Sequence, residues 1–188
     1  MNRDKELRLI KDEILDCKKC SLCKTRAYPV IGQGDHQAKI IFIGEAPGFN
    51  EDKTGFPFCG KAGEVLDDLL GSVNIKREDV YITNILKCRP PGNRNPKSEE
   101  IKACVTYLER QIKTIKPEII CTLGNFSTAY IFEKFSLKDR IQGISKIHGQ
   151  VFNADDLKII SLYHPAVVTY NDNMREVLKK DFKVLKNL

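Results

Sequence analysis

Four short apolar runs recur along the chain, and each stops at a glycine or a polar residue. They cover residues 40–43, 80–82, 119–123 and 159–163. Short runs rich in isoleucine and valine that end at Gly, Asn or Pro are typical of buried strands opening into loops. The pattern therefore predicts four strands, most clearly where the first run meets Gly44-Glu45-Ala46-Pro47-Gly48.

Apolar residues at helical spacing lie between these runs. The longest such segment begins after Pro96 and ends before Pro117. A shorter amphipathic helix is predicted over residues 3–15, where Leu7, Ile10 and Ile14 recur at helical spacing among charged residues. Alternating strands and helices call for right-handed crossovers and a parallel sheet. We therefore predict an α/β fold around a central four-stranded parallel sheet, whose strand order the pattern does not give.

Polar side chains follow each predicted strand. In a parallel sheet all carboxyl ends lie along one edge, where α/β proteins place their ligand sites. Glu45, Asn84, Asn125 and His164 are accordingly expected to share one crevice.

Length and composition limit the classes of protein. A chain of 188 residues is most simply one domain, here 1–188, and is long enough to bury about 70% of its unfolded surface. No apolar run approaches the roughly 20 residues that a membrane span needs. These features predict a soluble, cytoplasmic protein with no membrane partner.

The positive charges are unevenly distributed. The net charge of +6 is modest, but Lys87, Arg89, Arg94 and Lys97 cluster around a loop rich in Pro, Gly and Asn on the expected edge of the site. A solvated loop explains such a cluster. Four cations at the mouth of a crevice also suit a phosphate backbone.

Seven cysteines in a chain expected to be intracellular predict metal binding rather than disulfides, because that compartment keeps thiols reduced and the count is odd. Cys17, Cys20 and Cys23 follow the first helix, and Cys88 and Cys104 lie far along the chain. Any four of these thiolates would complete a site for zinc or for an iron–sulfur cluster. The two remaining cysteines are interpreted as a core residue (Cys121) and a loop residue without chemistry (Cys59).

Several long motifs, in order, resemble the family 4 uracil-DNA glycosylases, the iron–sulfur branch of that superfamily. The motifs are Gly44-Glu45-Ala46-Pro47-Gly48, residues 51–63, residues 81–91 and His164-Pro165-Ala166. The resemblance implies a three-layer α/β/α enzyme of base excision repair. It would hydrolyse the N-glycosidic bond of deoxyuridine in DNA, release uracil and leave an abasic site.

The resemblance also implies a [4Fe–4S] cluster with a structural role. By position its ligands would be Cys17, Cys20, Cys88 and Cys104, with Cys23 as the competitor of Cys17. The cluster would tie residues 1–26 to the 88–104 loop.

A uracil pocket requires an aromatic surface and hydrogen bonds to the Watson–Crick edge of an extruded base. The motif provides Phe58 for stacking. The Asn84 amide can donate to O4 and accept from N3–H, and His164 can donate to O2 as negative charge develops there.

The two glutamates of the motifs have less definite predicted roles. We expect Glu45 to position water or shape the pocket, and Glu51 to line the C5 side of the base. Ala46 occupies the position where the best-known branch of the superfamily carries the water-orienting carboxylate.

The loop after His164 is expected to enter the minor groove through Val167, Val168 and Tyr170, although core packing explains these residues equally well. The expected partner is uracil-containing DNA, single- or double-stranded, bound by a monomer; a sliding-clamp partner stays open. Two rival classes remain: a non-catalytic iron–sulfur or zinc protein that binds DNA, and a small-molecule hydrolase of the same architecture.

Overall fold

The computed structural model describes residues 2–187. Its strands are β1 (Gln33–Gly34), β2 (Ile40–Gly44), β3 (Tyr81–Asn84), β4 (Ile119–Leu123), β5 (Val151–Ala154) and β6 (Leu157–Leu162). They form one six-stranded sheet in the order β1-β3-β2-β4-β6-β5. The inner four strands are parallel, as predicted, while β1 and β5 are antiparallel edge strands. The predicted central four-stranded parallel sheet is therefore confirmed, and the two antiparallel edge strands were not predicted.

The α-helices are α1 (Arg3–Leu15), α2 (Phe49–Thr54), α3 (Lys61–Ser72), α4 (Ser98–Ile115), α5 (Asn125–Lys134), α6 (Ile144–Ile147), α7 (Val167–Tyr170) and α8 (Met174–Phe182). Short 3₁₀ turns lie at Ser21–Lys24, Arg77–Asp79, Pro91–Asn93, Lys138–Arg140 and Lys183–Asn187. The predicted bounds of α1 and α4 are confirmed. In residues 2–187 no helix is long and apolar enough to cross a membrane.

Alternation along the strands gives the sheet two buried faces. Ile41 and Ile43 pack with α1 and α4 on one face, whereas Phe42 between them packs with α3 and α8 on the other. The Phe42 and Phe182 rings stack there at a centroid distance of 5.9 Å. Helices therefore cover both sides of the sheet, and the predicted three-layer arrangement is confirmed.

The edge strands were missed for identifiable reasons. β1 has only two residues, and its glycine follows a backbone path with φ of 128°. β5 and β6 form a hairpin through Asp155, which adopts φ of 52°. Aspartate tolerates the left-handed region better than most residues, which suits Asp155 to this tight turn.

Candidate active site

One cavity of about 340 Å³ opens at the carboxyl edge of the sheet. It is lined by Glu45, Ala46, Pro47, Gly48, Glu51, Phe58, Ala62, Asn84, Pro90, Asn93, Arg94, His164 and Ala166. The carboxyl ends of three of the four parallel strands, β3, β2 and β6, supply or lead into most of the predicted pocket residues. The structure therefore brings Phe58, Asn84 and His164 together.

Phe58 is held in an unusual conformation. Its φ is 49°, in the left-handed region that residues other than glycine rarely enter. Its ring is 5% exposed and lies 5.5 Å from the His164 ring, with 28° between the planes. A Cβ on Gly44 would lie 2.9 Å from the Phe58 Cζ atom, so the glycine at the end of β2 makes room for the ring. The aromatic surface of the pocket thus depends on the left-handed backbone of Phe58 and on the missing side chain of Gly44.

Asn84 is buried at the end of β3, and its Oδ1 atom has no hydrogen-bond partner in residues 2–187. A Cβ on Gly44 would lie 2.3 Å from this oxygen, which again explains the glycine. A buried carbonyl oxygen without a partner costs free energy, and a bound donor would recover it. The Asn84 amide is therefore an acceptor ready for a ligand.

His164 follows β6 and has a defined tautomer. The Ala166 backbone N–H donates to its Nδ1 atom at 3.2 Å, so the neutral ring carries its proton on Nε2. The ring is reached through the cavity but is otherwise surrounded by protein, and this burial lowers the pKa of His164 to about 4. At neutral pH the side chain is therefore an uncharged hydrogen-bond donor.

The three acidic residues of the motif loop have different environments. Glu45 lines the cavity, and partial burial raises the pKa of its carboxyl group. Glu51 also lines the cavity, and its Oε1 accepts from the Cys59 backbone N–H at 3.3 Å. Asp52 is buried and accepts from the Ala27 N–H at 3.1 Å. Asp52 is thus a structural residue, while the two glutamates face the site.

The basic loop provides fewer free cations than its sequence indicates. The Arg94 guanidinium makes a two-bond ion pair with buried Glu100, at 2.6 and 2.9 Å, although Arg94 still lines the cavity. Arg89 donates from Nε to Asn93 Oδ1 at 2.6 Å and lies 5.1 Å from the Phe49 ring centroid.

The predicted DNA contact of Lys87 is wrong. The side chain is 1% exposed, and Nζ donates to Thr83 Oγ1, the Asn84 carbonyl and Gln111 Oε1 at 2.6, 2.8 and 2.8 Å. Burial lowers its pKa to about 7. Because the chain stays inside the molecule after β3 ends, Lys87 does not reach solvent. It supports the Asn84 backbone through the bond to the Asn84 carbonyl.

The segment after His164 divides into a buried and an exposed part. Val168 is 5% exposed and packs in the core beneath α8, so its predicted role as a DNA wedge is wrong. Val167 is half-buried against the same core. Tyr170 is 90% exposed, and the segment forms the short helix α7 rather than an open loop. Tyr170 is therefore the most accessible of the three predicted residues, and Val167 is accessible in part.

Asn125 does not line the cavity, contrary to the prediction. Its Oδ1 accepts from the Ile144 N–H at 2.8 Å and thereby fixes the start of α6. His36 and His148 bond to Asp4 and Asp181 at 2.7 and 2.8 Å, which agrees with structural roles for both histidines.

Five cysteines line a second, narrow cavity, with a free volume of about 10 Å³, between α1, α4 and the segment after β3. They are Cys17, Cys20, Cys23, Cys88 and Cys104. Arg26 Nη1 donates to Cys88 Sγ at 3.1 Å, and the Lys87 backbone N–H donates to Cys104 Sγ at 3.2 Å. Burial raises the pKa values of both thiols, that of Cys104 to about 11. Buried Cys121 and exposed Cys59 lie elsewhere, as predicted.

These thiols share a space without meeting at a point. Within residues 2–187, no three His, Cys, Asp or Glu side chains are close enough to hold a single metal ion. A tetrahedral zinc site would need sulfur atoms about 2.3 Å from one centre. Among the described residues, the thiols therefore line a common cavity but do not converge on the position of one ion.

Comparison with known proteins agrees with this geometry. Residues 31–186 match the model of the uracil DNA glycosylase superfamily. The chain therefore belongs to the uracil-DNA glycosylase superfamily.

Relatives indicate the branch. The chain is 48% identical to a type-4 uracil-DNA glycosylase of Saccharolobus solfataricus, over 96% of this chain and 85% of the relative. It is 46% identical to the type-4 enzyme of Archaeoglobus fulgidus (94% and 89%) and 44% identical to that of Sulfurisphaera tokodaii (97% and 84%). The resemblance to family 4 is confirmed.

Sequence reasoning missed several residues that shape the two cavities. Gly44 lies in a motif, whereas Arg26 and Gln111 lie outside the motifs, and the roles of all three depend on contacts across the fold. A glycine at a strand end was a usable signal for close approach. The two side chains gave none, since their partners are 62 and 24 residues away.

Proposed function

We propose that this protein hydrolyses the N-glycosidic bond of deoxyuridine in DNA, releasing uracil and leaving an abasic site. One observation carries the proposal: an aromatic ring, an unpaired carboxamide and a neutral imidazole donor line one cavity. This combination suits an extruded pyrimidine better than a duplex groove or an elongated ligand.

Recognition of uracil would depend on Asn84. Its unpaired Oδ1 can accept from uracil N3–H, and its amide nitrogen can donate to O4. Cytosine has an amine at position 4 and no proton on N3, so both bonds would be lost. A site that leaves its own buried polar group unpaired with the wrong base discriminates strongly.

Departure of the base would depend on His164. As the glycosidic bond breaks, negative charge develops on the uracil ring, and the Nε2–H of a neutral imidazole can donate to O2. A donor that is fixed in advance by the Ala166 N–H needs no rearrangement as the charge appears. The low pKa keeps the ring neutral at physiological pH.

Glu45 is the best candidate to orient the attacking water. In its ionised form the carboxylate would accept a water proton and favour the positive charge that develops on the sugar. Glu51 is fixed to the loop by the Cys59 N–H, which suits a residue lining the C5 side of the base. Ala46 contributes only shape.

DNA would be held beside the pocket by the remaining exposed groups. Arg89 is oriented by Asn93, and its other guanidinium nitrogens can bond to phosphate. Arg94 lines the cavity, but two of its guanidinium N–H groups already donate to Glu100. Tyr170 and the half-buried Val167 would fill the space left by the rotated nucleotide.

The four cysteines Cys17, Cys20, Cys88 and Cys104 would hold a [4Fe–4S] cluster. All four line one cavity, and their thiols do not converge on the position of a single ion, which supports a cluster over zinc. When bound, the cluster would join residues 1–26 to the 88–104 segment and so support the strand that carries Asn84. Purified protein with bound iron and sulfide, and no zinc, is the expected result.

We further infer that the protein acts as an intracellular monomer on single- and double-stranded uracil-containing DNA. A sliding-clamp partner is a separate proposal, to be tested by co-elution with the clamp of the source organism.

The test is release of free uracil from matched single- and double-stranded oligonucleotides, with alkali cleavage of the resulting abasic site. Oligonucleotides with cytosine or thymine at the same position are the controls, and neither base should be released. Binding of uracil-containing DNA without release would favour the non-catalytic alternative. Release of uracil from the free nucleoside but not from DNA would favour a small-molecule hydrolase.

A further inference from the structure

Phe58 needs outside support, because its backbone lies in the left-handed region at φ of 49°. One support is steric. A Cβ on Gly63 would lie 1.8 Å from the Phe58 carbonyl oxygen, so α3 packs directly against this peptide. Such a contact limits movement in one direction only.

The second support comes from Arg77, about 20 residues further along the chain. Its Nη2 atom donates to the Pro57 carbonyl at 2.6 Å and to the Phe58 carbonyl at 3.1 Å. Its Nη1 atom donates to Asp67 Oδ1 on α3 at 2.7 Å. One guanidinium thus fixes two successive carbonyls and anchors them to a helix.

We propose that Arg77 is a positioning residue for base binding: it holds the peptide of Phe58 so that the ring keeps its place in the wall of the cavity, next to His164. This proposal rests on the proposed function for its catalytic readout. Arg77 does not line the cavity and touches no substrate. A planar guanidinium can fix two carbonyls and a carboxylate at once, whereas the single ammonium of lysine cannot do so with the same geometry.

The test compares Arg77→Met with a matched variant, Arg110→Met. Arg110 likewise donates from both Nη atoms, in its case to Glu13 and Glu6 at 2.6 and 2.9 Å. Its side chain is similarly exposed (35% against 27% for Arg77). It joins α1 to α4, away from the cavity. Both variants should lose similar stability, so a merely structural effect would appear in both.

Only Arg77→Met should weaken base binding. We expect its KM and its inhibition constant for free uracil to rise about tenfold, as for one lost hydrogen bond, with a smaller change in kcat. Arg77→Lys should recover part of this loss. In a double-mutant cycle with Phe58→Leu, the Arg77→Met effect on uracil inhibition should largely disappear, because Arg77 acts through that ring.

A second measurement is independent of catalysis. Amide hydrogen exchange over residues 58–60 should become faster in Arg77→Met and stay unchanged in Arg110→Met. If wild-type protein releases no uracil, the proposed function fails, while this exchange result still tests whether Arg77 holds the Phe58 peptide. Unchanged uracil inhibition, additive effects in the cycle or unchanged exchange over 58–60 would each overturn the proposal.

Discussion

The two cavities lie on either side of one short segment, and they are built in opposite ways. The pocket at the sheet edge presents polar groups without partners, above all the Asn84 oxygen. In the cysteine cavity, two of the five thiols already accept hydrogen bonds, from Arg26 and from the Lys87 backbone. Unpaired polar groups suit a ligand that binds and dissociates. Thiols that are already hydrogen-bonded suit a group that remains bound to the protein.

Lys87 connects the two cavities. Its backbone N–H bonds to Cys104, and its ammonium supports the Asn84 carbonyl. Damage to the cysteine cavity should therefore reach the pocket through stability, whereas damage to the pocket should leave the cysteines unaffected. The following predictions test this asymmetry.

The largest effect is expected in the pocket. His164→Ala and Asn84→Ala should each lower kcat/KM for uracil release by about 10²–10³-fold, because each removes one preorganised polar contact. Thermal stability should change little, and iron content not at all. Single-turnover release gives the first quantity. Loss of iron in either variant would contradict the separation of the two cavities.

Cysteine variants should have the reverse signature. Cys88→Ser and Cys104→Ser should lose iron and about 3 kcal/mol of unfolding free energy, since a tightly bound group stabilises only the folded state. Cys59→Ser, exposed and outside the cavity, is the control. Cys17→Ser and Cys23→Ser settle the fourth ligand, and we expect iron to be lost only from Cys17→Ser. Full iron occupancy in Cys88→Ser would rule out the assigned ligand set.

Acid should destabilise the protein through His164. Above pH 6.5 the imidazole is neutral in both folded and unfolded chains, and this contribution to stability is present in full. Between pH 6.5 and about 4 only the unfolded chain takes up the proton, so stability falls as the pH falls. The loss is up to roughly 3 kcal/mol.

Urea titrations at several pH values measure this loss. His164→Asn should remove it, and His36→Asn, which alters an exposed histidine, should not. An unchanged pH dependence in His164→Asn would show that the ring is not held neutral by burial.

Variants of Lys87 and Arg89 distinguish a residue that supports the fold from one that contacts DNA. Lys87→Met should lower the unfolding free energy by about 2 kcal/mol, because it leaves three buried acceptors without their donor. The salt dependence of its DNA affinity should stay that of the wild type. Arg89→Ala should instead reduce the slope of log affinity against log salt by about 1. A reduced slope for Lys87→Met would restore the rejected DNA contact.

The smallest effects are expected at α7. Val168→Ala should cost about 1 kcal/mol of stability, since it empties part of a buried site. Tyr170→Ala should leave stability unchanged and weaken binding to abasic DNA several-fold. If both variants bind abasic DNA with the affinity of the wild type, neither residue fills the vacated space.

The sequence by itself determined the four inner strands, their polar ends and the candidate pocket. Ile40–Gly44 and Tyr81–Asn84 carry their own signals, because a buried strand must be apolar and must stop where the chain meets solvent. Asn84 and His164 were found in the same way, at the ends of strands, whereas Phe58 was found through the resemblance to a known family. Neighbouring residues are enough to reveal such features.

Tertiary structure decided which side chains are free. Lys87 and Val168 lie beside residues of the site, yet both are buried, and Arg77 reaches Phe58 from about 20 positions away. Whether a lysine contacts phosphate or supports a strand depends on what packs above it, and that packing comes from residues distant in the chain. The local pattern around Lys87 would be the same in either case.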